Sequence, residues 1–283
     1  MRGFCAVLAC AVVLIGHPAY ALDWNSNEVA YWYGSQFREP GVSKDGAARD
    51  IPKNILTLSH ADGYSFGQNF INIDILKSSS ADPQSTSGDG ATEVYVVDRQ
   101  DFSLNKLFGT SAFTAGPIKD VTIEAGIDIN TKNTAFTPYK RMPVAGMAAL
   151  FDVPGFLKVA ALWDKEWNHN GIADQNVTFN STARVETSWE IPFALSAAHF
   201  TFEGFGIYNA PKGKDGFNAE TRVEVLLHSQ IMLDVGTWFD HPKILKAGLG
   251  YQYWFNKFGA DHSATQGALE AAPFLRISSS FEF

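Results

Sequence analysis

The feature that most constrains this chain is a two-residue alternation of apolar and polar side chains that persists over long segments. One segment sets an apolar face against a polar face: Val121, Ile123, Ala125, Ile127 and Ile129 against Thr122, Glu124, Gly126, Asp128 and Asn130. Segments 177–190, 220–228 and 246–256 repeat the pattern. Successive side chains of a strand point to opposite faces, so this period predicts β-strands.

Two properties of these strands favour a transmembrane barrel over a soluble β-sandwich. The alternating runs span about 10 to 14 residues, whereas strands of globular proteins usually have about five or six and tilted transmembrane strands need about 9–11. Their polar faces carry both acidic and basic side chains, as a water-filled lumen allows. Aromatic residues also gather near predicted strand ends, as an interfacial girdle requires: Trp163, Trp167, Trp189, Trp238, Phe239, Trp254 and Phe255.

The pattern predicts an all-β, antiparallel transmembrane barrel of about twelve strands around a narrow polar lumen, formed by residues 22–283 without a second domain. The predicted strands are 28–38, 53–62, 65–77, 91–104, 119–130, 141–152, 156–168, 177–190, 194–208, 219–234, 244–257 and 273–283. Tight turns are expected at 152–155 and 191–192. A mobile loop is expected at 78–91 and outer loops at 209–218 and 259–272.

Both ends of the chain predict export to an outer membrane. Arg2, an apolar run over 4–15 and the Ala19-Tyr20-Ala21 cleavage site form a secretory signal peptide, 1–21. A lipoprotein box ending at Cys10 is the alternative, but the apolar run continues past that cysteine. The last strand alternates apolar residues up to a terminal Phe283, which resembles the signal read by the outer-membrane assembly machinery.

Composition excludes several classes of function. Cleavage after Ala21 removes both cysteines, and with them thiol chemistry and cysteine-based metal sites. It also makes the net charge of −8 more negative by one through the loss of Arg2, which argues against a nucleic-acid partner. A negative interior would favour cations or neutral solutes.

An enzyme finds no support in the positions of serine and histidine. His228 and Ser229 are adjacent, so on a strand they point to opposite faces and cannot pair, and the same holds for Ser59 and His60. A membrane hydrolase is nevertheless one alternative to be tested. Replacing the serines and histidines of the lumen would abolish hydrolysis but leave a channel active. We predict no enzyme, no cofactor and no metal.

Several segments resemble the nucleoside-specific channel-forming outer-membrane porin family, which includes phage-receptor relatives: 56–64 (LTLSHADGY), 66–74 (FGQNFINID), 101–107 (DFSLNKL), 231–236 (IMLDVG) and 251–259 (YQYWFNKFG). Their order and spacing cover nearly all of the chain after residue 28. The resemblance implies a monomeric twelve-stranded barrel with aromatic and ionisable pore residues that bind nucleosides. The chain departs from the family at two places. Gln68 stands where the family tends to have an acidic residue, and the segment before the strand at 93–99 is less regular than the Gly-Glu sequence that the family has there.

The candidate pore-lining residues combine these arguments. Polar-face parity selects most of them, and the resemblance adds a basic residue at the end of the first strand. They are Arg38, Phe66, Phe70, Asp74, Tyr95, Arg99, Glu124, Arg184, Glu186, Arg222, Glu224 and Trp254. Aromatic rings can stack on a nucleobase, and the charged groups either bind solute or form an ion-pair network that narrows the lumen.

The sequence therefore predicts a passive, substrate-selective channel for nucleosides or similar small solutes in the outer membrane of a Gram-negative bacterium. Its expected partners are outer-membrane lipid, a small-molecule solute and the assembly machinery through Phe283, with no nucleic acid and with the barrel as a monomer. The alternative is a non-channel structural or adhesive barrel, such as a phage receptor.

Overall fold

The computed structural model describes residues 22–82, 88–133 and 138–282. The predicted signal peptide and Phe283 lie outside the described residues. The elements are β1 (Trp24–Phe37), β2 (Ser43–Lys44), β3 (Ala47–Ala48), β4 (Ile51–Tyr64), β5 (Gly67–Ser78), β6 (Thr92–Ser103), α1 (Leu104–Phe108), β7 (Ile118–Lys132), β8 (Tyr139–Phe151), β9 (Phe156–Asp164), β10 (Trp167–Asn170), β11 (Gln175–Thr178), β12 (Thr182–Leu195), β13 (Ala198–Asn209), β14 (Glu224–Asp234), β15 (Leu245–Phe255) and β16 (Leu269–Phe281).

Twelve antiparallel strands close into a barrel. Following the hydrogen bonds from β1 leads through β4 to β9, then β12 to β16, and back to β1. The closing pair sets Ala30 opposite Ser278 and Trp32 opposite Arg276. The predicted all-β antiparallel fold is confirmed. No helix among the described residues is long and apolar enough to cross a membrane.

The two ends of the barrel differ in the length of their connections. The three shortest connections, at 65–66, 152–155 and 196–197, lie at the end that also holds Trp24 and Phe281, together with longer connections over 104–117 and 235–244, and we call this the turn end. At the opposite, loop end, connections run over 38–50, 79–91, 165–181, 210–223 and 256–268. The predicted turn at 152–155 and the predicted long loops thus lie at opposite ends.

The two faces of the sheet have the polarity of a membrane protein. Leu249 is 66% exposed and Leu275 59% exposed on the outside, and the outer face of β7 is equally apolar. Inside, Glu124 and Glu270 have no accessible surface. Water-soluble proteins have the reverse arrangement, with charges outside and apolar side chains in the core.

The predicted turn at 191–192 is wrong. Strand β12 continues through Pro192, which pairs with Thr201 of β13, and the turn follows at 196–197. Proline is tolerated there because Glu190 is the last residue of β12 that pairs with β9, so no neighbour on that side requires its missing N–H.

The predicted strands 156–168 and 177–190 are each broken in two. After Asp164 the chain leaves the barrel wall, and β10 and β11 form a hairpin on the end of β8. Phe179, assigned to the outer face by parity, is buried, with the Lys212 ammonium 4.4 Å from its ring centre. The alternation of side chains along one segment contains no information about which strand lies next to it, so it did not predict these breaks.

Other strand boundaries also differ by a few residues; β1, for example, begins at Trp24 rather than at 28. Strand β14 begins at Glu224 rather than at 219, and β16 begins at Leu269 rather than at 273. Strand β6 ends at Ser103, whose hydroxyl accepts a hydrogen bond from the Lys106 N–H at 3.0 Å and caps α1.

Inside the barrel a compact apolar cluster depends on one glycine. Trp32, Phe37, Ile55 and Phe274 pack together, and Gly250 of β15 lies directly against the Phe274 ring. A Cβ at Gly250 would come within 2.0 Å of that ring, so any side chain there must displace it.

Replacing Gly250 with alanine should therefore lower the free energy of unfolding by about 1–3 kcal/mol, the usual cost of overpacking. Unfolding by urea in lipid vesicles measures this free energy. Gly206→Ala is the matched control on the outer face, where the nearest atom to a new Cβ is the Thr187 methyl group at 3.0 Å. Equal effects of the two variants would contradict the tight packing at Gly250.

Candidate functional site

Seven charged side chains from four strands converge inside the barrel, and we call them the charge cluster. They are Arg99 and Asp101 of β6, Glu124 and Asp128 of β7, Lys158 of β9, and Arg184 and Glu186 of β12. Each lies on the inward parity of its strand, so the alternation that puts isoleucines outside puts these groups inside.

Arg99 is the centre of the charge cluster. Its guanidinium lies 2.8 Å from Asp128, 2.7 Å from Glu186 and 3.5 Å from Glu124. Strands β7, β8 and β9 separate β6 from β12, so the contact with Glu186 crosses the lumen as a chord. Arg184 also contacts Asp128, at 3.4 Å, and Glu186. These bonds narrow the lumen from one side.

Lys158 extends the charge cluster towards the turn end. Its ammonium lies 2.9 Å from both Asp101 and Glu124, and the Thr122 hydroxyl donates to Asp101 at 2.9 Å. The charge cluster thus holds three cations and four carboxylates, an excess of one negative charge. Buried charges are tolerated only when paired in this way.

The opposite side of the lumen is an aromatic wall made of Trp32, Phe37, Phe205, His228 and Phe274. The His228 ring lies between two phenylalanines, with ring centres 5.1 Å from Phe205 and 4.6 Å from Phe274. The Trp32 indole N–H donates to the Thr57 hydroxyl at 3.0 Å. His228 faces inward and shares a hydrogen bond with Gln252, while Ser229 faces outward, so the two do not form a catalytic pair.

Two phenylalanines turn exposed ring surface towards the lumen: Phe70, beside the charge cluster, and Phe205 of the aromatic wall. Phe70 is paired with Arg99 and Phe205 with His228, so both face inward, yet they are 40% and 37% exposed. Their exposed surface therefore lies in the lumen. At the turn end a cavity of about 160 Å³ opens beside Trp24 and Gln68 and reaches the charge cluster at Asp101.

Seven of the twelve predicted pore residues meet in this region. Arg99, Glu124, Arg184 and Glu186 form the charge cluster with three others, and Phe70 borders it. Two further residues lie on the same inward face.

Asp74 and Tyr95 are those two residues, and they are register partners. Asp74 accepts a hydrogen bond from Thr57 at 2.5 Å. The Tyr95 hydroxyl donates to Asp128 at 3.2 Å and accepts from Lys140 at 3.1 Å. Both therefore continue the polar side of the lumen.

Two predicted pore residues meet at the loop end, inside the mouth of the barrel. The Trp254 indole N–H donates to Glu224 at 2.8 Å, and the Lys257 ammonium lies 4.6 Å from the Trp254 ring centre. Trp254 therefore faces inward and is not part of an interfacial girdle.

The other three predicted residues lie elsewhere. Arg38 is in the loop after β1 and pairs with Asp50 at 2.8 Å. Arg222 precedes β14, is largely exposed and pairs with Asp261, so its expected place on a lumen strand is wrong. Phe66 is in the turn before β5, and its ring packs against Tyr64 and Phe102 instead of facing the lumen.

Sequence reasoning missed Lys158, Asp101 and Phe205. Ala160 and Leu162 separate Lys158 from Asp164, the other charged residue on the inward face of β9, so no continuous polar alternation marks Lys158. Phe205 joins the lumen through contacts with His228 from the next strand. Asp101 could have been found from its parity with Arg99.

Buried ion pairs also fix the loops at the loop end. Glu39 lies 2.6 Å from Lys53, and Glu166 lies 2.5 Å from Lys212. Burial acts to raise the pKa of each carboxyl, but the lysines outweigh it, so the pKa of Glu39 is lowered and that of Glu166 falls to about 2. Depressed values stabilise the folded loops above the ordinary carboxyl pKa, and this stabilisation is lost as the pH falls towards 2.

Comparisons with protein families, curated proteins and solved structures find similarity to solved structures of barrels. No protein-family model matches the chain, and no curated protein matches it. The translocator domain of the autotransporter NalP from Neisseria meningitidis is 11% identical over 92% of this chain and 88% of that one, with a TM-score of 0.48. An outer-membrane channel from Pseudomonas putida F1 is 9% identical over 91% and 96%, with a TM-score of 0.47. The KdgM porin in complex with disordered oligogalacturonate is 11% identical over 90% and 99%, at 0.45.

Replacing Arg99 with glutamine removes one of the two cations that Asp128 and Glu186 share and leaves them with Arg184. The free energy of unfolding in lipid vesicles should fall by about 3–5 kcal/mol, as when one partner of a buried pair is removed. Arg222→Gln removes an arginine of the same charge from an exposed pair and should change it by less than about 1 kcal/mol. Equal losses from the two variants would show that the buried ion pairs of Arg99 stabilise the barrel no more than the exposed pair of Arg222 does.

Proposed function

We propose that this chain is a passive outer-membrane channel that passes nucleosides or similarly sized solutes through the lumen. The proposal includes a Gram-negative outer membrane as its location and outer-membrane lipid as its surroundings. The exposed rings of Phe70 and Phe205 inside the barrel carry it, because apolar aromatic surface turned towards a polar lumen is available to stack on a solute.

The groups around Phe70 suit a solute with a flat ring and hydroxyl groups. Phe70 lies opposite Arg99 across the β5–β6 pair, so a ring stacked on it lies near the charge cluster. Carboxylates of the charge cluster can accept hydrogen bonds from ribose hydroxyls, and the guanidinium groups can donate to base oxygens and nitrogens. The family resemblance supports the same solute class.

A closed, structural barrel is the second candidate, and the charge cluster favours it. Arg99 and Glu186 bridge the lumen from β6 to β12 at 2.7 Å, and Glu124 is fully buried. In that case the ion pairs stiffen the barrel and nothing passes. Conductance across a planar bilayer separates the two candidates, since a plugged barrel conducts no current.

Phe70→Ala tests the stacking role in the same bilayers. Loss of base stacking should weaken block by added nucleoside about tenfold or more, with a smaller change in single-channel conductance without nucleoside. Phe202→Ala is the matched control, because Phe202 is equally exposed, at 40%, but faces outward.

Other outcomes of this experiment have distinct meanings. Equal loss of block and conductance in Phe70→Ala would indicate a collapsed pore. No change in either quantity would remove Phe70 from the site. If Phe202→Ala weakened nucleoside block as much as Phe70→Ala, both effects would come from destabilisation of the barrel and not from lost stacking.

A further inference from the structure

One sector of the outer face is polar where the rest of the barrel is apolar. We call it the polar patch, and it consists of Asn27 of β1, His60 and Asp62 of β4, Asn69 of β5, and Asp98 and Gln100 of β6. Arg99 points into the lumen, so its neighbours Asp98 and Gln100 point outward. Register pairs continue the row, since Asn69 lies opposite both Gln100 and Asp62.

Hydrogen bonds join the members of the polar patch. The Gln100 amide donates to Asp98 at 3.0 Å, and the Asn69 amide donates to Asp62 at 3.1 Å. The two ring nitrogens of His60 lie 2.7 Å from Asn27 Oδ1 and 3.0 Å from Asp62 Oδ2. These bonds form two groups, and the register pair of Asn69 with Gln100 places the groups side by side.

The β6 part of the polar patch lies within the apolar band rather than at its edge. Along β6, outward Val96 lies on one side of Asp98 and outward Phe102 on the other side of Gln100. Across the sheet, Asp98 lies between Ile71 of β5 and Ile127 of β7. In a membrane these polar side chains would face hydrocarbon, where polar and charged side chains are costly even when they bond to one another.

We propose that the polar patch is the contact between two copies of this chain in the membrane. The proposal rests on the barrel lying in a membrane, as proposed above, but not on transport. It departs from the monomer implied by the family resemblance, which no finding tests.

Symmetry and chemistry both favour a second copy as the occupant. Two copies inserted in the same direction are related by an axis along the membrane normal, which brings the same surface of each copy together. The polar patch contains both hydrogen-bond partners that such a contact needs. Asp98 supplies an acceptor, while Asn69, Gln100 and His60 supply donors.

Disulfide cross-linking in intact outer membranes tests this contact. Ile71 lies in register between His60 and Asp98, at the centre of the polar patch, so Ile71→Cys keeps every polar group. Ile231→Cys is the matched control, because Ile231 is an outward isoleucine of β14, on the far side of the barrel. The wild-type chain, oxidised in parallel, reports any bond from Cys5 or Cys10.

We expect a product of twice the chain mass from Ile71→Cys and none from Ile231→Cys or the wild type. Adding Asp98→Leu and Gln100→Leu to Ile71→Cys should lower the cross-linked fraction about tenfold, which corresponds to about 1.4 kcal/mol of contact energy. Heat-modifiable migration confirms assembly, and Gln100→Leu alone replaces the double change if that variant fails to assemble.

Three results would overturn the proposal. Absence of cross-linking at Ile71→Cys would make the barrel a monomer on this face. Equal cross-linking at Ile71→Cys and Ile231→Cys would indicate random collision. Undiminished cross-linking after the leucine changes would show that the polar groups do not hold the copies together. Each of these results is independent of nucleoside block.

Discussion

The pairing of β1 with β16 is the interaction on which the rest of the structure depends. It removes the free edges of the sheet, so every long strand has a neighbour on both sides and its backbone groups are bonded within the sheet. An open sheet would present two rows of unpaired N–H and C=O groups. Closure also creates an inside, and only then can the polar faces of the strands be separated from the apolar ones.

Closure in turn explains the high charge density of the lumen. Strand parity places one face of every strand inside, and polar residues there collect from all sides of a narrow barrel. Arg99, Asp128 and Glu186 come from three strands and meet within 2.8 Å. Pairing offsets the cost of removing these charges from water. The same bonds stabilise the barrel and occupy part of its lumen.

The sequence predicted the barrel and its faces because a period of two is a local property of each strand. It also placed Arg99, Glu124, Arg184 and Glu186 on inward faces, where they meet. It failed where tertiary contacts decide the outcome. Proline usually indicates a turn, but Pro192 lies within β12. It is tolerated there because β9 ends before it and no neighbouring strand on that side requires its N–H.

Other residues escaped prediction for the same reason. The alternation continues from β11 into β12, but the chain changes its neighbour between them. Lys158 is followed on the inward face of β9 by two apolar residues, Ala160 and Leu162, and Phe205 packs in the lumen against His228 of the adjacent strand. Which inward side chains touch across the lumen depends on the registers of several strand pairs, which no single segment encodes.

Folding of residues 22–283 from urea, with and without lipid vesicles, tests most directly whether apolar side chains cover the outside and charges fill the inside. Circular dichroism and heat-modifiable migration report the folded barrel. Strand content and compact migration should appear only with lipid or detergent. A folded, monodisperse chain in plain buffer would contradict the account.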